Sequence, residues 1–186
     1  MIRMSLTKIY QLKITLKDSQ PPIWRRVQVP GDVSLAKLHR IIQEVMGWSD
    51  SHLHQFLVGA TYYGVPDPDD LSETKNEKSV RLGELVTKPR QRLLYEYDFG
   101  DDWEHEVVVE KILDADPGVR YPVCLAGARA RPPEDCGGIF GYADFLEAIR
   151  DPKHEQHDEM LEWIGGEFDP EAFDLETVND FLRRLK

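Results

Sequence analysis

The sequence predicts an α+β fold: a mixed or antiparallel sheet of about five strands with one packed helix in a grasp-like arrangement, then a C-terminal helical segment. Three observations predict it. Apolar residues alternate with period two in the stretches 10–16, 23–29, 52–58, 93–99 and 103–109. Between the second and third of these, residues 35–46 switch to helical spacing. After residue 141 the alternation gives way to three helical segments.

The first strand carries Tyr10, Leu12, Ile14 and Leu16 against Gln11, Lys13 and Thr15. The turn Asp18-Ser-Gln-Pro-Pro22 returns the chain into Ile23–Val29, closing a hairpin. Ser34 is placed to cap a helix whose Leu35, Leu38, Ile41, Ile42, Val45 and Met46 share one face, and Gly47 stops it. A helix of this length is not stable alone, so it must pack on the sheet. His52–Val58 is the third strand. Residues 66–79 are polar and proline-containing, which predicts the longest and most mobile loop, and 80–86 suggests a short helical turn through Leu82, Leu85 and Val86.

Leu93, Tyr95, Tyr97 and Phe99, then Trp103, His105, Val107 and Val109, form the apolar faces of a second hairpin turning at Gly100-Asp-Asp102. A three-residue turn sets Phe99 on Trp103, Tyr97 on His105 and Tyr95 on Val107, which keeps apolar side chains together. Asp98 then faces Glu104 and Glu96 faces Glu106, and like charges directly opposite are destabilising. Water, neutralisation by Arg25 or Arg26, or a bound cation would each compensate. His105 falls on the apolar face as a core histidine with a satisfied ring nitrogen, and an Asp98–His105 pair is disfavoured because the two point to opposite faces.

Asp114-Ala-Asp-Pro-Gly118 ends the first half, and residues 120–138 have no regular period. The expected organisation is one domain: sheet and helix over 1–113, an irregular loop over 114–141, and helices over 142–186. Those helices are Tyr142–Ile149, His157–Ile164 ending at Gly165-Gly166, and Leu175–Leu185 capped by Asp174, with Arg183, Arg184 and Lys186 at its C-terminal end.

Composition narrows the function. With 186 residues, 41% hydrophobic and 31% charged, the chain reads as a soluble globular protein with one good core. No apolar run approaches membrane-spanning length, and residues 1–8 lack the apolar stretch of a signal peptide, so the expected location is the cytoplasm, with no membrane partner. The net charge of −11 argues against a general phosphate-binding surface but leaves room for a local basic patch. Cys124 and Cys136 are expected to be reduced thiols, and the absence of C-x-x-C leaves any zinc site dependent on histidines or carboxylates.

The motifs resemble the plasmid pRiA ORF-three-like proteins, also seen as passenger proteins of an insertion sequence. The matching pieces are Pro22-Ile-Trp-Arg-Arg26, Leu38-His39 with Ile42-Gln43, and Gly47-Trp48 with His52-Leu-His54 and Phe56. Tyr97-Asp-Phe-Gly-Asp101 with Trp103 and His105, and Tyr121-Pro-Val-Cys124, follow. Pro132-Pro-Glu-Asp-Cys-Gly-Gly138 with Gly141-Tyr142, and Phe168-Asp-Pro-Glu171 with Phe173-Asp174, complete the set in order over nearly the whole chain. The resemblance implies a compact α+β domain and a context of mobile genetic elements, and it carries no established activity.

The chemistry concentrates between the second hairpin and the Arg129–Gly138 loop. Candidate pocket residues are Arg25, Arg26, Asp98, Asp101, Asp102, Glu134, Asp135 and Cys136. A metal ion is the one cofactor the residues suggest, with His52, His54, His105, Cys124 and Cys136 as candidate ligands beside Asp98, Asp101 and Asp135. His52 and His54, two apart on a strand, would share a face. Cys136 before Gly137-Gly138 offers a nucleophile reading, against that of a small buried residue in a tight turn. Trp24-Arg25-Arg26 with Arg129 and Arg131 offers a nucleic-acid reading, unless these arginines pair with nearby acids. The first reading is a binding or accessory module for an unidentified ligand or protein partner. The alternative is a metal-dependent hydrolase or nuclease using the same residues.

Overall fold

The computed structural model describes residues 7–67 and 73–185. In chain order the elements are β1 (Lys8–Leu16), β2 (Trp24–Pro30), α1 (Leu35–Met46), β3 (His54–Val58), β4 (Thr61–Gly64), β5 (Lys75–Asn76) and α2 (Leu82–Leu85). There follow β6 (Arg92–Tyr97), β7 (Trp103–Asp114), β8 (Val123–Ala128), α3 (Gly138–Arg150), α4 (His157–Ile164) and α5 (Leu175–Arg184). The α+β class is as expected, but the sheet has eight strands where about five were expected, in the order β5-β4-β3-β6-β7-β1-β2-β8. The five anticipated strands are its contiguous centre. β4 and β5 extend one edge, and their parallel pairing makes the sheet mixed. β8 extends the other edge by pairing with β2. The two hairpins are joined through antiparallel β1 and β7.

The missed strands have local explanations. β4 has four residues and β5 two, too short to display a period. β8 runs Val-Cys-Leu-Ala-Gly-Ala, whose small residues show no clean alternation, so the stretch expected to be an irregular loop contains an ordered edge strand. Asn179 of α5 holds it from the side, accepting from the Cys124 amide at 2.8 Å and donating to the Cys124 carbonyl at 2.9 Å. The expected loop over 66–79 falls partly on residues 68–72, and the Lys186 charge on residue 186; both lie outside the described residues. Within that loop, Lys75–Asn76 pairs as β5. No helix among the described residues is long and apolar enough to cross a membrane.

α1 covers one face of the sheet as its spacing predicts. Ser34 caps it by accepting from the Lys37 amide at 3.1 Å, and Gly47 ends it in the left-handed region at φ 94°. Leu35, Leu38, Ile41, Ile42, Val45 and Met46 pack with Leu12, Ile14, Phe56, Tyr95, Tyr97, Trp103 and Val107 in one buried cluster. α5 is capped by Asp174 as expected and packs against β8 and α1. The opposite face of the sheet is polar and half-exposed, and basic side chains neutralise Glu104, Glu106 and Glu110 there. Lys17 pairs with Glu104, Arg92 with Glu106, and Arg26 binds Glu110 through two hydrogen bonds of 2.6 and 2.8 Å. Glu96 accepts from Gln55 at 2.5 Å.

The central hairpin keeps the expected faces but not the expected register. Tyr97 lies opposite Trp103, Tyr95 opposite His105, and Glu96 opposite Glu104, so the turn spans residues 98–102 rather than three residues. Phe99 therefore leaves the apolar face and is 48% exposed. Asp98 likewise leaves the strand. Asp98 and Asp102 sit in the left-handed region at φ 60° and 57°, where Asp is tolerated better than bulky residues. In this register Tyr97 takes the place opposite Trp103 that was expected for Phe99, and Tyr95, Tyr97 and Trp103 are fully buried.

Candidate functional site

Three loops meet at the end of the central hairpin: residues 47–53 after α1, the turn 98–102, and the stretch 129–138 before α3. Asp98 is anchored by its own backbone. Its amide donates to the Leu53 carbonyl at 2.8 Å, and its Oδ1 accepts from the amides of Gly100 at 3.0 Å and Asp101 at 3.4 Å. The other oxygen, Oδ2, points to His52.

The 129–138 stretch is ordered by polar ties rather than apolar periodicity. Arg131 donates from Nε to the Gly47 carbonyl at 2.6 Å, and its guanidinium lies 5.1 Å above the Trp48 ring. Glu134 Oε1 accepts from the Ser49 amide at 2.8 Å, from Ser49 Oγ at 2.9 Å and, at 3.5 Å, from the Tyr97 hydroxyl. Asp101 Oδ2 accepts from the Gly137 amide at 3.1 Å. Gly138, at φ 70°, lies so near the turn that a Cβ there would meet the Asp101 carbonyl oxygen at 2.5 Å. The Pro-Pro-Glu-Asp-Cys-Gly-Gly segment thus docks on the hairpin, as its composition suggested.

His52 is where these loops converge. Its Nε2 is 3.1 Å from Asp135 Oδ1, 3.6 Å from Asp98 Oδ2 and 3.9 Å from Glu134 Oε2. One ligand atom each from His52, Asp98 and Asp135 lie within 4.8 Å of one another. Asp98 is buried and Asp135 is 69% exposed at its side chain, so the cluster has a closed floor and an open mouth. Glu134 Oε2 is buried with no hydrogen-bond partner among the described residues.

A second histidine cluster lies beside the first. The rings of His39 and His54 stack with centroids 3.4 Å apart and planes within 4°. Gln43 Nε2 donates to the Tyr95 hydroxyl at 2.8 Å, and that hydroxyl in turn donates to His39 Nδ1 at 2.8 Å. His39 Nε2–H then donates to Asp50 at 2.9 Å, while His54 Nε2 meets the buried Glu77 carboxylate at 2.8 Å. Burial pushes the His39 pKa down to about 4, so its imidazole is neutral at pH 7. His39, Asp50 and His54 also lie within ligating range. The lone pairs of parallel stacked rings run side by side instead of converging on one ion, so this pair is hydrogen-bonded rather than poised for a shared metal.

Several expected site residues lie elsewhere. His52 and His54 both face the tyrosine side of the sheet, His52 against the Tyr97 ring and His54 against the Tyr95 ring, but each joins a different cluster. His105 is a core residue, as its position on the apolar face implied. It accepts from Trp48 Nε1 at 3.2 Å, donates from Nδ1 to the Tyr95 carbonyl at 3.3 Å, and burial lowers its pKa to about 4. Cys124 is buried on β8 against α5 and is absent from both ligating clusters, as is Cys136. Burial, then the neighbouring Asp101 charge, pushes the Cys136 thiol up to about 12, so it is neutral and a poor nucleophile. Asp101 is a loop tie and Asp102 a turn residue.

The arginines are also committed. Arg25 is buried and donates to the carbonyls of Val45, Trp24, Ala128 and Arg129, with its guanidinium 4.6 Å from the Phe173 ring; burial lowers its pKa to about 10. It clamps α1 to β8 and does not enter the pocket. Arg26 is held by Glu110 and Arg129 pairs with Glu171, so the basic residues considered for phosphate contact already hold protein partners. Sequence reasoning missed Asp50 and Glu77, because loop acids carry no periodic signal. Ser49 also escaped it; its position directly after Gly47-Trp48 was the only hint that it would meet the incoming loop.

The family model of plasmid pRiA4b ORF-3-like proteins matches residues 8–177. The chain is 37% identical over 176 residues to an uncharacterized protein, y4hQ, of Sinorhizobium fredii (strain NBRC 101917 / NGR234), covering 94% of this chain and 90% of that protein. It is similar to the crystal structure of MM3350, a protein of unknown function from Methanosarcina mazei Go1, with a TM-score of 0.85 and 40% identity, covering 92% of this chain and 98% of the other. The chain belongs to the plasmid pRiA4b ORF-3-like family.

Proposed function

We propose that this family member is a cation-binding module whose ligand site is the mouth formed by His52, Asp98, Glu134 and Asp135. One observation carries the reading: three carboxylates from two loops aim an oxygen at one histidine nitrogen, and the buried Glu134 Oε2 finds no hydrogen bond there. Simple packing does not call for such a convergence, because a buried acceptor left unsatisfied costs about 1–3 kcal/mol. A bound cation offsets that cost and the mutual repulsion of the acids. Binding is favoured over covalent catalysis because the Cys136 thiol is held neutral. Mobile genetic elements are the proposed biological context, and that context supplies no chemistry of its own.

The test is a thermal-shift series at constant ionic strength, using ethanolamine, spermidine, Mg2+, Ca2+, Mn2+ and Zn2+. A ligand at one hundred times its Kd stabilises by about 2.7 kcal/mol, or about 5–10 °C for a chain of this size. At least one cation should raise the Tm of the natural protein, and the double variant Asp98→Asn, Asp135→Asn should lose that rise. No selective rise with any of the six would overturn the reading.

A further inference from the structure

We infer that the cation is a first-row divalent transition metal ion, ligated by His52 Nε2, Asp98 Oδ2 and Asp135 Oδ1, with Glu134 Oε2 accepting from a water on the ion. This rests on the cation-binding reading above and names its ligand. Spacing separates the cation classes. An ammonium nitrogen about 2.8 Å from each acceptor holds tetrahedral acceptors about 4.6 Å apart. A metal with bonds of about 2.1 Å holds its ligands about 3.4 Å apart in tetrahedral and about 3.0 Å in octahedral geometry. The separations of 3.1 and 3.6 Å from His52 to Asp135 and Asp98 fit the metal spacing and are shorter than the ammonium spacing, and all three ligand atoms lie within 4.8 Å of one another.

Hydrogen-bond accounting points the same way. If His52 Nε2 carried a proton, it would satisfy Asp135 at 3.1 Å, while Asp98 at 3.6 Å and Glu134 at 3.9 Å lie beyond hydrogen-bond reach. An ion placed among these atoms serves several at once. The outer contacts also match a metal site. Asp98 spends Oδ1 on two backbone amides and Glu134 spends Oε1 on Ser49 and Tyr97, so each presents a single free oxygen inward. The imidazole excludes Mg2+ and Ca2+ as preferred occupants, because those ions take oxygen ligands, and the missing thiolate disfavours Cu+. Zn2+, Mn2+ or Fe2+ fit the mixed nitrogen and oxygen set. Three protein ligands leave a coordination position open, and the exposed side of Asp135 gives solvent access to it.

The experiment uses the full chain, stripped with chelator and dialysed. It is titrated calorimetrically with Zn2+ and Mn2+, with Mg2+ and Ca2+ as controls, and Mn2+-loaded protein is examined by pulsed EPR for coupling to an imidazole nitrogen. The expected result is one site per chain, an affinity for Zn2+ or Mn2+ at least a hundredfold above that for Mg2+, and a nitrogen coupling that disappears in His52→Ala. Asp135→Asn should weaken binding at least tenfold with an unchanged circular dichroism spectrum, since Asn tolerates the φ of 57° at this position. Absence of a transition-metal site in the natural protein overturns the inference, as does binding that survives both substitutions. If ethanolamine or spermidine stabilises the protein while no divalent ion does, the metal assignment falls and the cation-binding reading stands. If none of the six cations acts, both fall.

Discussion

His52 and His54 are two residues apart, yet their surroundings are opposites. His54 stacks on His39 in a closed cluster and meets Glu77, while His39, Tyr95, Gln43 and Asp50 are linked by a chain of hydrogen bonds. His52 faces three carboxylates, only one of them at hydrogen-bond distance, under a mouth open to solvent. The same residue types therefore build a structural core polar network and a candidate ligand site. What separates them is whether the hydrogen bonds close. A satisfied buried network rigidifies a fold, and a half-satisfied one calls for an additional partner.

Four measurements break or sharpen this contrast. The largest effect is expected from Glu77→Ala, which leaves His54 without its buried partner. It should cost about 3–5 kcal/mol in urea unfolding, and a loss below about 1 kcal/mol would mean that the closed cluster does not hold the fold. Second comes pH. His39 and His105 have folded pKa values lowered to about 4, below an unfolded value of about 6.5, so the unfolded chain takes up protons first as pH falls. Stability is full above pH 6.5 and is lost as pH drops toward 4. Between pH 6.5 and 5 the two histidines should remove about 2–4 kcal/mol, and His39→Gln should flatten roughly half of that slope.

Third, Tyr95→Phe removes the hydroxyl linking Gln43 to His39 and should cost about 1–3 kcal/mol by the same unfolding assay. The smallest effect belongs to the open cluster. Asp135→Asn in metal-free protein should leave stability within about 0.5 kcal/mol of the natural chain, because the side chain is exposed and Asn accepts its backbone conformation. A loss above about 2 kcal/mol would make Asp135 a clamp of the loop and remove the contrast.

Much of the fold was legible along the chain. The helix Leu35–Met46 appears with its Ser34 cap and Gly47 stop in place, and α4 matches its expected bounds of His157–Ile164. The two faces of the central hairpin were also legible, because alternation assigns Tyr95, Tyr97, Trp103 and His105 to one side whatever the turn length. Its register was not. A shift by two residues preserves both faces, so periodicity cannot distinguish the three-residue turn from the 98–102 turn; burial of Tyr97 against Trp103 under α1 decides it. The importance of the hairpin turn and the Pro-Pro-Glu-Asp-Cys-Gly-Gly segment was visible in their composition, but the roles inside them were not. Arg25 looked like a pocket residue and became a backbone clamp, while Glu77 sat unnoticed in a polar stretch.

By itself the sequence determined the class of fold, the helix with its caps, the sheet faces and the family, since each depends on spacing within a short window or on motifs met in order. Only the tertiary structure decided that β8 joins β2, that His52 parts from His54, and that Asp98, Glu134 and Asp135 meet at one nitrogen. The physical reason is range. Period and capping are local properties of consecutive residues, whereas convergence at His52 requires three loops to be fixed by hydrogen bonds between residues as far apart as Ser49 and Glu134.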